Sequence, residues 1–363
     1  MADAEHSLAG QMGHRGFAPA HVGDPHRDSL PLIETIKNKI ARPPWLMIGV
    51  YMIAVGAVMY IAGVILIVPR FVFGLEAMLR PVAENLVWYS GAPVFFGLAL
   101  ALSDILIFFE RKRAPRVYRD DPIDKEMVTV VLTAYNDEDS IGDAVRDFSS
   151  HPKVSDVIVV SNNSTDRTFE IAESAGAMTF NEPTQGYGAC VYRCFREALS
   201  RTENELIVLC EGDRTFRASD IDKLLAYSPH ADIVNGTRIV EMLRARSTQL
   251  TAFMFYGNLF AAKLLEAKHL GKTTLTDLGS TYKLMRRDAL EFLMAKLTPG
   301  VNLEFNAHFL DVAMSSGVSL IEAPVTFHKR AGVSKGGNTD NLRAMKVGLG
   351  MIRGLTFGWR PER

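Results

Sequence analysis

The chain has 363 residues, which is enough for one large domain or two of ordinary size. Its formal net charge of −1 excludes a protein that binds nucleic acid through overall positive charge. Apolar residues make up 48% of the chain and are concentrated near its N-terminus. Cys190, Cys194 and Cys210 have no histidine cluster nearby that would complete a zinc site, so we interpret them as free thiols in a reducing compartment.

The N-terminal segment, residues 1–40, is predicted to be a disordered cytoplasmic tail. Its first 30 residues are rich in Gly, His, Ala, Pro and Asp and show no apolar period. A secretory signal peptide is not expected, because no apolar core follows the start within the usual distance.

Two apolar runs follow the tail. Trp45–Val68 carries no charged residue over 24 positions, and a second run begins at Asn85 and continues past Asp104 to Phe109. A helix of about 20 residues crosses a hydrocarbon core of about 30 Å. We therefore predict a transmembrane hairpin over residues 41–113, with spans at about 45–68 and 86–109. One span followed by an interfacial hairpin is the alternative.

Charged residues beside these spans predict their orientation. Positive charges precede the first span and follow the second, namely Lys37, Lys39 and Arg42, then Arg111, Lys112, Arg113 and Arg116. The loop between the spans has Arg70 and Arg80, which Glu76 and Glu84 offset. Cytoplasmic flanks are enriched in Lys and Arg. We predict a multi-pass protein of the inner (plasma) membrane, with everything from about residue 115 onward in the cytoplasm.

The pattern then changes to strands that alternate with helices. Short apolar runs predict strands at Met127–Ala134, Asp156–Ser161, Ala177–Asn181, Glu205–Cys210 and Asp232–Gly236. Amphipathic segments predict helices at Ser140–Ser150, Thr165–Gly176 and Gly188–Arg201. This alternation is typical of an α/β fold with a mostly parallel sheet, in which ligands bind beyond the carboxyl ends of the strands.

Polar clusters stand at the ends of these strands. They are Ala134–Glu138 (AYNDE), Ser161–Asp166 (SNNSTD), Glu211–Thr215 (EGDRT) and Thr276–Lys283 (TDLGSTYK). In order and spacing they resemble the motifs of the family 2 glycosyltransferases, especially the dolichol-phosphate mannose synthase branch, over roughly Val128–Lys335. The resemblance implies a GT-A catalytic domain at residues 114–336, Rossmann-like, with helices on both faces of a mostly parallel sheet. Two transmembrane helices would precede it.

The first two clusters imply a donor site. The segment from Ala134 to Glu138 is similar to the family's Pro-x-Tyr-Asn-Glu, which holds the base and ribose of the donor. The second is similar to Asp-Asp-Gly-Ser-Thr-Asp-Gly-Thr, with Ser161 and Asn162 in place of the acids, which leaves the choice of base open. The donor-binding residues implied by these and the neighbouring motifs are Ala134, Tyr135, Asn136, Glu138, Asn162, Asp166, Gly186, Glu211, Gly212 and Arg238.

The third cluster implies a metal site. Glu211-Gly212-Asp213 stands where the family has Asp-x-Asp, so Glu211 and Asp213 are expected to bind a divalent cation. Carboxylate oxygens suit Mg²⁺ or Mn²⁺, which would neutralise charge on the departing nucleoside diphosphate. Asp213 is therefore also counted among the catalytic residues.

The remaining motifs imply an acceptor side. The segment that begins at Asp277 is similar to the family's Asp-x-x-Ser-Gly-Phe-Arg, which makes Asp277 the first candidate for a general base and Lys283 a phosphate ligand. Glu304 is the second candidate for the base. The segment after Phe327 resembles the closing Arg-x-x-Gly-x-Ser-Lys loop of lipid-phosphate transferases, which implies phosphate contacts by Arg330, Ser334 and Lys335.

These implications predict an inverting, non-processive glycosyltransferase that uses a UDP- or GDP-linked sugar and a membrane lipid acceptor. Polyprenyl phosphate is the leading acceptor; diacylglycerol, ceramide and a lipid-linked saccharide stay open, as do an inactive nucleotide-binding scaffold and a homo-oligomer. A processive synthase is disfavoured because the chain lacks Gln-x-x-Arg-Trp. A dehydrogenase is disfavoured because no Gly-x-Gly-x-x-Gly follows the first strand. The segment 337–363 is expected to be an amphipathic helix, either at the membrane interface or packed on the domain.

Overall fold

The computed structural model describes residues 44–108, 119–245, 248–331 and 341–361. The predicted tail over residues 1–40 and the basic flanks of the two apolar runs lie outside these residues, as do Ser334 and Lys335.

The described chain begins with a helical hairpin. Its elements are α1 (Trp45–Ile65), α2 (Ile67–Val72), α3 (Glu76–Tyr89) and α4 (Gly91–Ser103), the last continued by a π-helical turn at Asp104–Phe108. Together they make two helices, 45–72 and 76–108, that are long and apolar enough to cross a membrane. The second starts about ten residues before the predicted 86, because Arg80 and Glu84 pair at 2.8 Å one helical turn apart and extend the helix N-terminally.

A row of glycines lets the two arms of the hairpin approach closely. Gly49, Gly56 and Gly63 recur every seven residues along α1. A Cβ at Gly49 would lie 2.4 Å from the carbonyl oxygen of Gly97 in α4, and one at Gly56 would lie 2.6 Å from that of Ser90. Such small residues allow helix backbones to pack at short range.

The acid predicted at the end of the second span also holds the hairpin together. Asp104 is buried, and its Oδ2 accepts a hydrogen bond of 2.8 Å from the backbone N–H of Leu46. That N–H belongs to the first turn of α1, where backbone donors lack partners within the helix and negative charge is favoured.

The rest of the chain is built on a seven-stranded sheet. Its strands are β1 (Val128–Ala134), β2 (Val154–Ser161), β3 (Met178–Asn181), β4 (Leu206–Glu211), β5 (Ile233–Thr237), β6 (Lys283–Arg286) and β7 (Leu320–Pro324). They lie in the order β3-β2-β1-β4-β6-β5-β7, and β6 alone runs antiparallel to its neighbours. The mostly parallel sheet is confirmed, and each of the five predicted strands is present to within two residues. The sequence analysis did not predict β6 or β7.

Helices cover both faces of the sheet. They are α5 (Ile141–Ser149), α6 (Thr168–Ser174), α7 (Tyr187–Arg201), α8 (Ile221–Tyr227), α9 (Ala252–Lys268), α10 (Arg287–Met294), α11 (Phe305–Ser315) and α12 (Asn341–Phe357). Val131 of β1 shares a core with Phe195 of α7 and Phe309 of α11, whereas its neighbour Leu132 shares a second core with Phe148 of α5. Successive side chains of a strand point to opposite faces of the sheet, so each strand contributes to two separate apolar cores.

The C-terminal helix α12 packs on the domain along one side and is exposed along the other. Met351 and Leu355 are buried in the core that α7 and α11 share, whereas Leu342, Leu349 and Phe357 are exposed. Met47 of α1 belongs to the same core, so α12 packs on the domain close to the hairpin.

We predict that replacing Gly49 by Val destabilises the protein. The added side chain would collide with the backbone of α4, and overpacking of this kind costs about 1–3 kcal/mol. Gly91→Ala is the matched control, because a Cβ at Gly91 meets nothing within 4 Å. The unfolding midpoints of the two variants are compared in detergent. Equal midpoints would contradict the close contact at Gly49.

Candidate active site

The polar clusters meet at one edge of the sheet, as predicted for parallel strands. Ala134 at the end of β1 lies opposite Ser161 of β2, and Thr133 lies opposite Glu211 of β4. The loops that follow these strands therefore start side by side. The N–H of Gly212 donates to the carbonyl of Thr133 at 2.9 Å, which ties the third cluster to the first.

Several predicted donor-binding residues bind each other instead of facing the pocket. The backbone N–H of Thr165 donates to Oδ1 of Asn136 at 2.7 Å, and the N–H of Glu138 donates to Oδ2 of Asp166 at 3.3 Å. In return, Oε2 of Glu138 accepts from the N–H of Arg167 at 3.2 Å. Asn136, Glu138 and Asp166 therefore join the loops after β1 and β2, and this linkage delays the start of α6 to Thr168.

Between the sheet edge and the helices α9 and α12 lies a pocket of about 700 Å³. Of the predicted residues, those that line it are Ala134, Tyr135, Asn162, Gly186, Glu211, Arg238, Glu304 and Arg330. The opposite end is apolar and is lined by Leu250, Phe253, Met254, Phe260, Met345 and Leu349. One continuous pocket thus joins a charged end near the strands to an apolar end between two helices.

Acidic side chains gather at the charged end around a single arginine. Arg330 Nη1 lies 3.2 Å from Oδ2 of Asp213, and its Nη2 lies 3.4 Å from Oδ1 of Asp137. Burial, together with the negative charge of Asp213, raises the pKa of Glu211 to about 8, although the positive charge of Arg330 opposes this shift. Arg330 thus contacts two carboxylates, and Glu211 lies beside them, where the loops after β1 and β4 converge.

The donor set at this end fits a divalent cation. Oδ1 of Asp213 accepts from both the N–H and the hydroxyl of Thr215, at 2.9 and 2.6 Å, whereas its buried Oδ2 accepts no hydrogen bond within the described residues. An orphaned carboxylate oxygen two residues from Glu211 is what a hard cation requires of the protein. In the described part of the chain no three His, Cys, Asp or Glu side chains form a metal site by themselves. Further ligands would have to come from the donor and from water.

Asp277, the first candidate for a general base, is fully buried in an ion pair. Nε and Nη2 of Arg238 donate to its two oxygens at 2.7 and 2.8 Å, and Asn258 of α9 donates at 2.6 Å. Burial alone would raise the pKa of Asp277, but the charge and hydrogen bonds of Arg238 hold it below its ordinary value. A carboxylate with no exposed surface and both oxygens occupied does not face an acceptor. The predicted base role does not fit this geometry.

Lys283, the predicted phosphate ligand, is also withdrawn from the pocket. It lies in the middle of the sheet with no exposed surface, contacting the carbonyl of Ser280 and, at 3.3 Å, Oδ1 of Asn306. Burial lowers the pKa of its ammonium group to about 7. Lys283, the last residue of the motif, is thus the first residue of a buried strand. It does not line the pocket.

Asn162 and Gly186 reach the pocket wall, but the Asn162 amide is already used. Its Nδ2 donates to the carbonyl of Thr184 at 2.7 Å, and its Oδ1 accepts from the N–H of Gly186 at 2.8 Å. Gly186 has φ of +141°, a conformation that favours glycine. This pair shapes the turn that leads into α7.

Glu304, the second candidate for the base, faces the pocket at the start of α11. A Cβ added at Gly350 of α12 would lie 2.2 Å from its Oε1, so the carboxylate rests against the bare backbone of that helix. Glu304 is half-buried and therefore more accessible than Asp277.

Sequence reasoning missed most of the residues that line the pocket, and three of these are polar side chains that contact Arg330 or each other. Asp137 is one, and the family motif already indicates it, since its acid directly follows Asn, which here is Asn136. Tyr187 and Asn306 are the others; the tyrosine hydroxyl and the amide lie 3.2 Å apart. No sequence motif indicates this pair. Tyr187 begins α7 and Asn306 lies in α11, and the two helices come together only in the folded chain.

We predict that Asp277→Asn strongly destabilises the protein. The variant would leave the Arg238 guanidinium buried without a counter-charge, which costs about 3–5 kcal/mol. Asp143→Asn removes an exposed acid that also pairs with arginines, and we expect little change in stability because solvent screens such pairs. Chemical unfolding in detergent compares the two, and similar losses would contradict a structural role for the buried pair.

Comparisons with known proteins identify the family of the chain. The chain matches Glycosyl transferase family 2 over residues 129–293, from β1 to α10. It is 30% identical to Protein RfbJ of Shigella flexneri over 113 residues, which are 31% of this chain and 84% of that protein. It is 27% identical to a Dolichyl-phosphate hexose transferase of Haloferax volcanii over 209 residues, which are 57% of this chain and 86% of that protein.

Among solved structures, it resembles the glucosyl-3-phosphoglycerate synthase of Mycobacterium tuberculosis, determined with Mn²⁺, UDP and phosphoglyceric acid. The TM-score is 0.45 and the identity 16%, covering 69% of this chain and 81% of that one. The family match covers the strands and loops that carry Asp137, Glu211 and Asp213, whereas α11, α12 and Arg330 lie beyond it. The chain is a glycosyltransferase and belongs to family 2.

Proposed function

We propose that the protein transfers a sugar, with inversion, from a UDP- or GDP-linked donor to a lipid phosphate at the surface of the inner membrane. Polyprenyl phosphate is the acceptor that we favour, and the GT-A architecture is part of this proposal. The observation that carries it is the two-ended pocket, in which a charged end adjoins an apolar groove. A hydrophilic donor and an apolar acceptor need such neighbouring environments.

The charged end is suited to a nucleoside diphosphate. Tyr135 is about one-third exposed at the pocket wall, where its ring can pack on a base. Glu211 and Asp213 would hold Mg²⁺ or Mn²⁺, which when bound supplies positive charge to the leaving diphosphate. Arg238 lines the same end of the pocket, and Asp277 and the ring of Phe327, 5.2 Å from its guanidinium carbon, hold its guanidinium in place.

The apolar end is suited to a lipid chain. Phe253 and Phe260 of α9 and Met345 and Leu349 of α12 line the pocket and are also partly exposed to the outside. Met47 of the hairpin packs into the core beneath α12, so the groove and the two apolar helices are close together. A membrane that contains the hairpin would therefore bring its lipids to this end of the pocket, with the catalytic domain on the cytoplasmic side.

Among the relatives, the printed name of the Haloferax volcanii enzyme supports a lipid phosphate acceptor, since that protein is a Dolichyl-phosphate hexose transferase. Arg330 stands at the charged end and is suited to bind the acceptor phosphate, with Ser334 and Lys335 predicted to assist. A phosphate oxygen is already anionic and attacks the donor without a base. Under this proposal Glu304 orients the acceptor, and Asp277 positions Arg238.

A lipid with a free hydroxyl is the second candidate acceptor. The accessible carboxylate of Glu304 favours it, because transfer to a hydroxyl requires a group that accepts its proton. Glu304 would then be the general base, the role for which Asp277 was the first candidate in the sequence analysis.

We expect the purified protein to release nucleoside diphosphate from one nucleotide sugar in the presence of Mn²⁺ and total membrane lipid. Asp213→Ala should reduce this release by at least about a hundredfold, because the leaving group would lose its cation. Asp139→Ala, which removes an exposed acid nearby, should leave it unchanged. Binding of nucleotide without release from any donor would instead indicate an inactive scaffold.

The choice of acceptor can be tested with Glu304→Gln. With a phosphate acceptor we expect kcat to fall by less than about tenfold, since no proton has to be removed. Glu291→Gln, which alters an exposed acid of α10, is the control. A loss of about a hundredfold or more at Glu304 alone would contradict the phosphate acceptor and favour a hydroxyl.

A further inference from the structure

The guanidinium of Arg330 lies where a cation bound to Asp213 would have to lie. Its Nη1 is 3.2 Å from Oδ2 of Asp213, the oxygen that accepts no hydrogen bond within the described residues. The other oxygen of Asp213 is held by Thr215 at 2.6 and 2.9 Å and is turned into the loop. Arg330 therefore already pairs with the oxygen of Asp213 that the loop does not use.

We propose that Arg330 is a built-in counter-ion of the acidic cluster, and that Arg330 and the divalent cation compete for Asp213. This inference rests on the proposed function, since it takes Glu211 and Asp213 as the metal ligands. Two positive charges about 3 Å apart repel strongly in a largely buried site, so Arg330 must leave Asp213 when a cation binds there.

The second partner of Arg330 is Asp137, which can keep the guanidinium in the site after it leaves Asp213. Oδ1 of Asp137 lies 3.4 Å from Nη2, the guanidinium nitrogen that does not contact Asp213, and Asp137 is itself anchored because its backbone N–H donates to Thr168 Oγ1 at 2.7 Å. Arg330 can thus release Asp213 and stay at the charged end of the pocket. The sequence analysis assigned no role to Asp137, and it gave its neighbour Glu138 to donor binding.

The competition couples the donor to the acceptor. Arg330 is held close to the acids by its own segment, because the N–H of Ala331 donates to the carbonyl of Asp213 at 3.2 Å and the N–H of His328 donates to that of Thr215 at 2.8 Å. While it pairs with Asp213, the charge of Arg330 is neutralised. Once the cation and donor have bound, that charge is available to an acceptor phosphate.

Binding of Mn²⁺ alone tests the exchange without reference to turnover. The full-length protein in detergent, free of nucleotide, is titrated with Mn²⁺, and free Mn²⁺ is measured by electron paramagnetic resonance. We expect Arg330→Gln to bind Mn²⁺ about tenfold more tightly than the unmodified protein, because the competing charge is gone. Arg330→Lys keeps the positive charge on a side chain of different length. Its affinity for Mn²⁺ should lie between those of Arg330→Gln and the unmodified protein. Lys329→Gln removes an exposed charge from the adjacent position and should change nothing.

A thermal readout separates competition from a merely structural role. Without metal, Arg330→Gln should unfold at a lower temperature than the unmodified protein, and Mn²⁺ should raise its midpoint more than it raises that of the unmodified protein. Equal or weaker Mn²⁺ binding by Arg330→Gln would overturn the exchange. If Mn²⁺ binds equally to both in the presence of UDP, the exchange fails while the metal site stands; if it binds to neither, the metal site of the proposed function fails with it.

Discussion

The buried ion pair between Arg238 and Asp277 is the contact on which the rest of the pocket depends. It joins the end of β5 to the loop before β6, and Asn258 extends it to α9. The charges have no exposed surface on the Asp277 side, so each requires the other, and loss of either leaves an uncompensated charge in the interior. Because α9 also forms the apolar wall, this one pair fixes both ends of the pocket relative to each other.

A second arginine, Arg330, pairs with acids at the charged end of the pocket, and its contacts are longer. Glu211, Asp213 and Asp137 place negative charge beside one another at the sheet edge, and Arg330 compensates for it through contacts of 3.2 and 3.4 Å. These contacts are longer than the Arg238–Asp277 hydrogen bonds of 2.7 and 2.8 Å. We therefore propose different roles for the two arginines: Arg238 is fixed by bidentate pairing, whereas Arg330 exchanges with a cation and then contacts a phosphate.

Local pattern predicted what is local in the fold. The strand ends, the acids at Glu211 and Asp213 and the two apolar helices could be located from the sequence, because apolar runs and the polar turns after them are contiguous. Lys283 could not be interpreted in this way: KLMR has two charged residues in four, yet β6 is buried between β4 and β5 and withdraws the lysine from the pocket. Asp277 was assigned to the acceptor for a similar reason. Its partner Arg238 lies 39 residues earlier, and pairing over that separation leaves no mark on the motif itself.

The chemical nature of the product tests the central claim most directly. Radiolabelled sugar is supplied on the nucleotide donor that the enzyme accepts, together with membrane lipid, and the products are partitioned between water and organic solvent. Transfer to a lipid phosphate predicts label in the organic phase that mild acid returns to water, because a glycosyl phosphate bond is cleaved under those conditions. Label that stays in water, or an organic-soluble product that resists mild acid, would contradict a lipid phosphate acceptor.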